Sequence, residues 1–308
     1  MAVMVGARQA PPYDAAVEPI VVEVVRGAVV EARHVVHAVV VHEGENELAA
    51  GDPGIVTFFR SSAKPIQALP VVRARPDLDD EEIALMCASH LGTAEQVAIV
   101  RRILARAPAS EGDLECGPEP TPVQHNCSGK HAGFLALASR RGWPLEGYRL
   151  AEHPVQRAVL EEVAEVADVD AESLVTGVDG CGVVTFALPL EHMAQAFVRL
   201  RSQEGGERVV NAMRARPELL RGPVAADVVA IRELEGWVAK GGAEGLFCAS
   251  SADGLGLALK VEDGATRAVK PALAHVVTRL GLEPGALARN ELTNSRGETV
   301  GELRVAGV

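Results

Sequence analysis

Lysine is almost missing from this sequence. Of its 30 basic residues only five are lysine (Lys64, Lys130, Lys240, Lys260 and Lys270), and arginine supplies the rest. A lysine kept against that bias marks a place where a guanidinium will not serve. Arginine stays protonated, whereas burial can neutralise an amine. Aromatic residues are scarce too, at 3%, so Val, Ala and Leu must fill the core. The five cysteines (Cys87, Cys116, Cys127, Cys181, Cys248) are odd in number and widely spread. That excludes a disulfide framework and reads as reduced cytosolic thiols. No uninterrupted apolar run approaches a membrane span, so no membrane partner is expected. Met1 to Pro12 has no basic segment followed by an apolar one. No signal peptide is therefore expected, and the expected location is cytoplasmic. Positive charge is also short. The net charge of −12 argues against a nucleic-acid partner.

What is present is a 308-residue chain, 48% apolar, with room for a sizeable core. Ile20–Val25, Val29–Arg33, His37–His42 and Ile55–Phe59 are short, Val-rich and separated by turn residues, as strands are. Residues 61–215 read mainly as helix. Asp80–Met86 has acids in its first turn, Thr93-Ala94-Glu95-Gln96 is a capping box, and Pro154–Ala167 carries valines along one side. After Pro217 strands return at Gly236–Lys240, Gly245–Ala249, Gly256–Val261 and Thr299–Val305, with one helix at Ala265–Leu280. The expected class is α+β, with an antiparallel sheet built from both chain ends and a helical insertion. Residues 1–60 and 216–308 would form the sheet lobe and 61–215 the helical lobe, with a small-molecule cleft at their junction.

Three stretches carry candidate chemistry. Ser61-Ser62-Ala63-Lys64 follows an apolar strand and places a hydroxyl and an amine one turn apart, a plausible nucleophile and base. Cys87-Ala88-Ser89-His90 offers a second hydroxyl; adjacent Ser and His seldom pair, so a polar helix end fits equally. Gln124 to Gly133 is the densest polar run. Its Gly129-Lys130 is not a phosphate loop, because Gln124 stands where glycine is required and His131 where Ser or Thr is. Asp179-Gly180-Cys181-Gly182 looks like its counterpart. Cys127 and Cys181, with Lys130 or a histidine, suit a soft metal such as zinc, and two small buried thiols suit the pattern as well. Lys260 lies in an apolar strand, where a charge is costly.

Taken in order, Val22–Gly27, Arg60–Pro65, Cys87–His90, His125–Gly133, Asp179–Gly182 and Lys240–Gly245 resemble the bacterial L-asparaginase II family, the rhizobial-type (class 3) asparaginases. The His125–Gly133 string is the most specific of them. The resemblance implies hydrolysis of L-asparagine to L-aspartate and ammonia, a fold like serine β-lactamases and glutaminases, and a homodimer. It implies two Ser–Lys pairs, Ser61 with Lys64 and Ser89 with Lys260. It places zinc, one ion per chain, on Cys127, Lys130 and Cys181, and it sets Arg60, Asn126, His131 and Asp179 around the substrate. The chain departs from the family pattern at Leu91-Gly92-Thr93, at Val184, and near Asp227, where an Asp-Thr segment is usual. These departures bear on substrate preference more than on fold.

The expected mechanism is acyl transfer. Ser61 attacks the side-chain amide, neutral Lys64 takes its proton, and Ser89 with Lys260 relays a proton to the departing ammonia. Which serine attacks is open at this point. The rivals are a related serine amidohydrolase acting on glutamine, β-lactams or peptides, and a catalytically silent metal- or metabolite-binding protein on the same scaffold.

Overall fold

The computed structural model describes residues 18–118 and 120–307. Among these residues eleven strands form two sheets. They are β1 (Ile20–Arg26), β2 (Val29–His42), β3 (Glu45–Ala50), β4 (Val56–Phe58), β5 (Thr176–Val178), β6 (Val184–Pro189), β7 (Val238–Gly241), β8 (Leu246–Ser250), β9 (Leu255–Val261), β10 (Glu291–Thr293) and β11 (Thr299–Val305). The main sheet is antiparallel and runs β10-β11-β1-β2-β9-β8-β7, with β3 following β1 along the same edge of β2. The two ends of the chain therefore meet in one sheet, where Val24 of β1 sits opposite Leu303 of β11. Between those ends lies the helical part of the chain, and a small sheet β4-β6-β5 ties its segments together.

The valine runs explain the sheet. Val36, Val39 and Val40 of β2 and Leu257, Ala258 and Leu259 of β9 are fully buried on both faces of the sheet. Such strands read as continuous apolar runs instead of alternating ones. Helix Leu190–Arg199 covers one face against β2 and β9, and helix Val269–Arg279 packs against β1, β2, β9 and β11. No helix among the described residues is long and apolar enough to cross a membrane.

The helical segment is pinned by its caps. Asp79 and Glu82 form a reciprocal capping box at the start of helix Asp80–Met86, and Thr93 with Gln96 does the same for helix Ala94–Ala105. Helix Ser128–Arg141 ends on Gly142 in the left-handed region. That helix lies against Asp80–Met86 through two glycines one turn apart. A Cβ at Gly129 would sit 2.3 Å from the Leu85 carbonyl oxygen, and one at Gly133 would meet the Met86 sulfur at 2.5 Å. Only glycine lets the two backbones come this close.

Some elements differ from the sequence expectation. Val29–Arg33 and His37–His42 are one strand of 14 residues, with His34 inside it hydrogen-bonded through Nδ1 to Asp263 Oδ2 at 2.6 Å and accepting the Arg267 Nε–H at 3.0 Å. The helical segment expected from residue 61 opens as a 3₁₀ turn, Arg60–Ala63, running into a single turn, Lys64–Gln67. A further helix, Leu69–Ala74, begins beyond it, with Pro70 in its first turn. Strand β3 and helix Ala226–Glu233 were not expected. The first is hidden by the turn residues at its start, and the second by its short length.

Candidate active site

Strand β4 delivers the chain to the site. Phe59 donates its N–H to Phe186 at 2.7 Å, and the next residue, Arg60, turns with φ of 48°. A non-glycine residue there is strained, and its partners hold it. Its N–H bonds Thr185 Oγ1 at 3.2 Å, and its Nε bonds Asp179 Oδ1 at 2.8 Å. The turn aims Ser61 into an open cleft of about 710 Å³, which is also lined by Ser89, Asn126 and Arg221. Ser62 points the other way and donates to the Lys240 carbonyl at 2.9 Å.

Lys64 is fully buried. Its Nζ donates to the Ala88 carbonyl and lies 3.2 Å from Ser89 Oγ. Among the described residues Ser61 Oγ makes no hydrogen bond to it. A second amine, Lys240 Nζ at the end of β7, lies 3.2 Å from the same Ser89 oxygen. Lys240 is itself fully buried, 3.3 Å from Asp227 Oδ2 and 2.7 Å from the Gly241 carbonyl. Ser89 is therefore held between two buried amines. Burial lowers the pKa of Lys64 below its usual range, assisted by the charge of Lys130 and opposed by the Cys127 and Cys181 thiols. Burial and then the Arg221 guanidinium bring Lys240 down to about 7, against the pull of Asp227. Asp227 stays below the ordinary carboxylate range. Burial would raise it, but Lys240, Arg221 and the Gly241 N–H at 2.9 Å outweigh that. A lysine that is neutral near pH 7 can take up and return a proton.

Lys260 does not meet Ser89. Its amine donates to the Val261 carbonyl, and its backbone pairs with His37 and Leu246 inside the main sheet. The amine expected of Lys260 is supplied by Lys240. Both lie on strands of the same sheet, but β7 is its edge strand and ends at the cleft. The sequence did carry a signal for this. Lys240 is one of the five retained lysines and falls in the Lys240–Gly245 segment. Asp227 was marked only as the place where the family's Asp-Thr segment is usual, and Arg221 carried no signal, because a single basic residue in an Arg-rich chain does not stand out.

The expected metal positions come together one layer below. Lys130 Nζ lies 3.3 Å from Cys181 Sγ, and Cys181 in turn bonds Cys127. The Cys181 bond, together with Lys64, His125 and Lys130, draws the Cys127 thiol well below its usual range against burial, while Cys181 is pushed up by the same bond and by burial. Burial opposes a charge on Lys130, yet the neighbouring thiols hold its amine above its usual range. No three His, Cys, Asp or Glu side chains among the described residues form a metal-binding group. This cluster has three donors only when the lysine is counted.

The expected substrate residues divide. Asn126 is exposed and lines the cleft, while its carbonyl accepts the His90 N–H at 3.1 Å. Arg60 and Asp179 are paired beside Ser61. His131 is fully buried with Nδ1 2.7 Å from the Tyr148 hydroxyl, and burial holds it well below its usual pKa. It is a neutral core residue of helix Ser128–Arg141 that does not line the cleft.

The family model described as L-asparaginase II matches residues 22–305. A search of the curated proteins finds no match. Among solved structures, the chain is similar to a probable glutaminase from Bacillus subtilis complexed with 6-diazo-5-oxo-L-norleucine, at 14% identity over 80% of this chain and 84% of that one, with a TM-score of 0.36. It is also similar to an octameric penicillin-binding protein homologue from Pyrococcus abyssi, at 12% identity over 81% of this chain and 74% of that one, with a TM-score of 0.33. At these TM-scores neither likeness carries weight for the chemistry.

Proposed function

The chain belongs to the L-asparaginase II family, and from that premise we propose that it releases L-aspartate and ammonia from L-asparagine by serine acyl transfer with two lysines as proton carriers. Membership makes it an amide hydrolase; the route is our reading. The observation that carries the route is Ser89 Oγ, 3.2 Å from Lys64 Nζ and 3.2 Å from Lys240 Nζ, in the cleft that Ser61 enters.

Ser61 and Ser89 both line the cleft; Ser61, the less buried of the two, attacks the side-chain amide carbon. Its proton goes to neutral Lys64, one turn along the same segment. Ser89 passes a proton between Lys64 and Lys240, so that the departing nitrogen leaves as ammonia. Water then enters, gives up its proton to the same relay, and releases aspartate from Ser61. Lys240 suits this role because its amine changes charge close to neutrality.

Cys127, Lys130 and Cys181 fit a zinc ion. Two neighbouring thiols and an amine are a soft donor set, and a metal there would displace the thiol protons and the Lys130 proton. When bound, the ion would fix the start of helix Ser128–Arg141 against the turn between β5 and β6. We extend the family reading to the rhizobial type, to two lobes divided near residues 60 and 216, to a homodimer and to the cytoplasm. The order of the matching segments supports the first of these and the free cysteines suit the last.

The test is ammonia release from L-asparagine, L-glutamine and a simple lactam. L-Asparagine should be the preferred substrate, and the Ser61→Ala variant should lose at least about a thousandfold in kcat. Ser89→Ala should lose less and still form a covalent adduct, seen as added mass, with a slow amide substrate. If Ser61→Ala forms the adduct and Ser89→Ala does not, Ser89 is the nucleophile and the route above is wrong. No ammonia from any amide would remove the function itself.

A further inference from the structure

An amino-acid amide brings a carboxylate into the cleft, and something must receive it. The obvious candidates are already engaged. Arg60 is tied to Asp179 and does not line the cleft. Lys64 and Lys240 are fully buried on Ser89 and are taken up by the proton relay. His90 is held down to about 4 by burial, so it is uncharged near neutrality. What remains is Arg221, whose guanidinium is the one permanent cation among the described residues of the cleft lining, where no Asp or Glu stands. In a chain of net charge −12, that is a local reversal of sign.

Arg221 is also under-used. Its Nη2 donates to the Gly241 carbonyl at 3.0 Å, while its Nε is buried with no hydrogen-bond partner among the described residues. Asp227 Oδ2 lies 3.8 Å from that Nε, close enough to orient the side chain but beyond a hydrogen bond. A guanidinium has five N–H donors, and a buried one left unmade is costly unless a ligand takes it. The side chain also forms the wall of a neighbouring cavity of about 410 Å³, so neither side of it is packed shut. Through the Gly241 carbonyl and Asp227, both shared with Lys240, its position is fixed relative to Ser89.

We propose that Arg221 holds the α-carboxylate of the substrate and so restricts the cleft to amides that carry one. The proposal rests on the amide-hydrolase reading above. A carboxylate would complete the free edge of the guanidinium with charge-assisted bonds. The side-chain amide then reaches toward Ser61 and Ser89, which line the same cleft.

The experiment compares L-asparagine with 3-aminopropanamide, the same molecule without its α-carboxylate, on the full chain. For the wild type, KM for L-asparagine should lie about 10- to 100-fold below the inhibition constant of 3-aminopropanamide against it, the range of a lost charge-assisted bond. Arg221→Met should raise KM for L-asparagine by that factor and leave the 3-aminopropanamide constant within about threefold. Arg221→Lys should fall between the two, and it guards against a Met variant that fails to fold. Removing the positive charge also raises the pH midpoint of Lys240, and that shift should be the same for both molecules. Equal wild-type affinity for the two compounds, or equal weakening of both by Arg221→Met, overturns the proposal while asparaginase activity stands. Absence of ammonia release by the wild type overturns the function and this proposal together.

Discussion

Lys240 has two charged neighbours of opposite sign, and they pull its amine in opposite directions. Arg221 lowers its pKa and Asp227 raises it, with burial setting the overall descent to about 7. If neutral Lys240 is needed, activity should rise with pH through a midpoint near 7 and level off above it, since the amine is charged below that value. Asp227→Asn removes the partner that favours the charged form, so the midpoint should move to lower pH. Lys240→Met should cost at least about a hundredfold in kcat and abolish the limb, the usual scale for a lost acid–base group. The measurement is kcat/KM against pH for the three proteins. A limb that stays in place in Asp227→Asn, or persists in Lys240→Met, would show that another group titrates there. Lys64 gives no such handle. It bonds Ser89 and is also drawn by the thiol pair beneath it, so its variants would disturb both sites at once.

At the scale of elements, the sequence was legible where periodicity and caps agree. Helix Pro154–Ala167 and strand β11 fall on their expected bounds, and Thr93 and Gln96 cap as the motif predicts. The turn Asn294–Glu298 closes a hairpin, with Asn294 donating its N–H to the Glu298 carbonyl at 3.0 Å. The site was legible in part. Ser61 and Ser89 line one cleft and Lys130 meets Cys181, but Lys64 bonds Ser89 and not Ser61, its expected partner. Lys240 replaces Lys260 because pairing order in a sheet is long-range. Nothing local in either lysine tells which strand is the edge. The close approach of helices Ser128–Arg141 and Asp80–Met86 was equally invisible, since a glycine in a helix does not announce its neighbour. It leads to a prediction in urea denaturation. At Gly129 the new Cβ would strike the Leu85 backbone, which cannot rotate away, so Gly129→Ala should cost about 3 kcal/mol. At Gly133 the obstacle is the flexible Met86 side chain, and helix propensity offsets about 1 kcal/mol, so Gly133→Ala should lie within about 1 kcal/mol of wild type. Equal losses, or a larger loss at Gly133, would refute the docking described here.

Over the whole molecule, the site draws on segments far apart in the chain. Ser61 and Lys64 follow β4, Ser89 follows helix Asp80–Met86, Lys240 ends β7, and the thiol cluster joins residue 127 to residue 181. The sheet holds Lys240 through β8, where it lies opposite Cys248. The small sheet positions the turn that bears Asp179 and Cys181, since β5 and β6 flank it. A metal on Cys127, Lys130 and Cys181 would therefore act as a clasp between the helical segment and that small sheet, and its effect should be read in global stability. Binding only to the folded chain stabilises it by about 2.7 kcal/mol when free metal exceeds its Kd a hundredfold. For a chain of this length that is a rise in Tm of about 4 °C. Zinc added to chelator-treated protein should produce such a rise with one ion bound per chain, measured by calorimetry and elemental analysis. Cys181→Ser should remove both the rise and the bound ion. Its metal-free Tm should stay within a few degrees of wild type, because a hydroxyl can still accept from Lys130. The rise should also shrink as pH falls, because the thiols and the Lys130 amine must give up protons to bind. A Cys181→Ser protein that keeps the full zinc-dependent rise would place the ion elsewhere and leave these three residues as a buried hydrogen-bonded cluster.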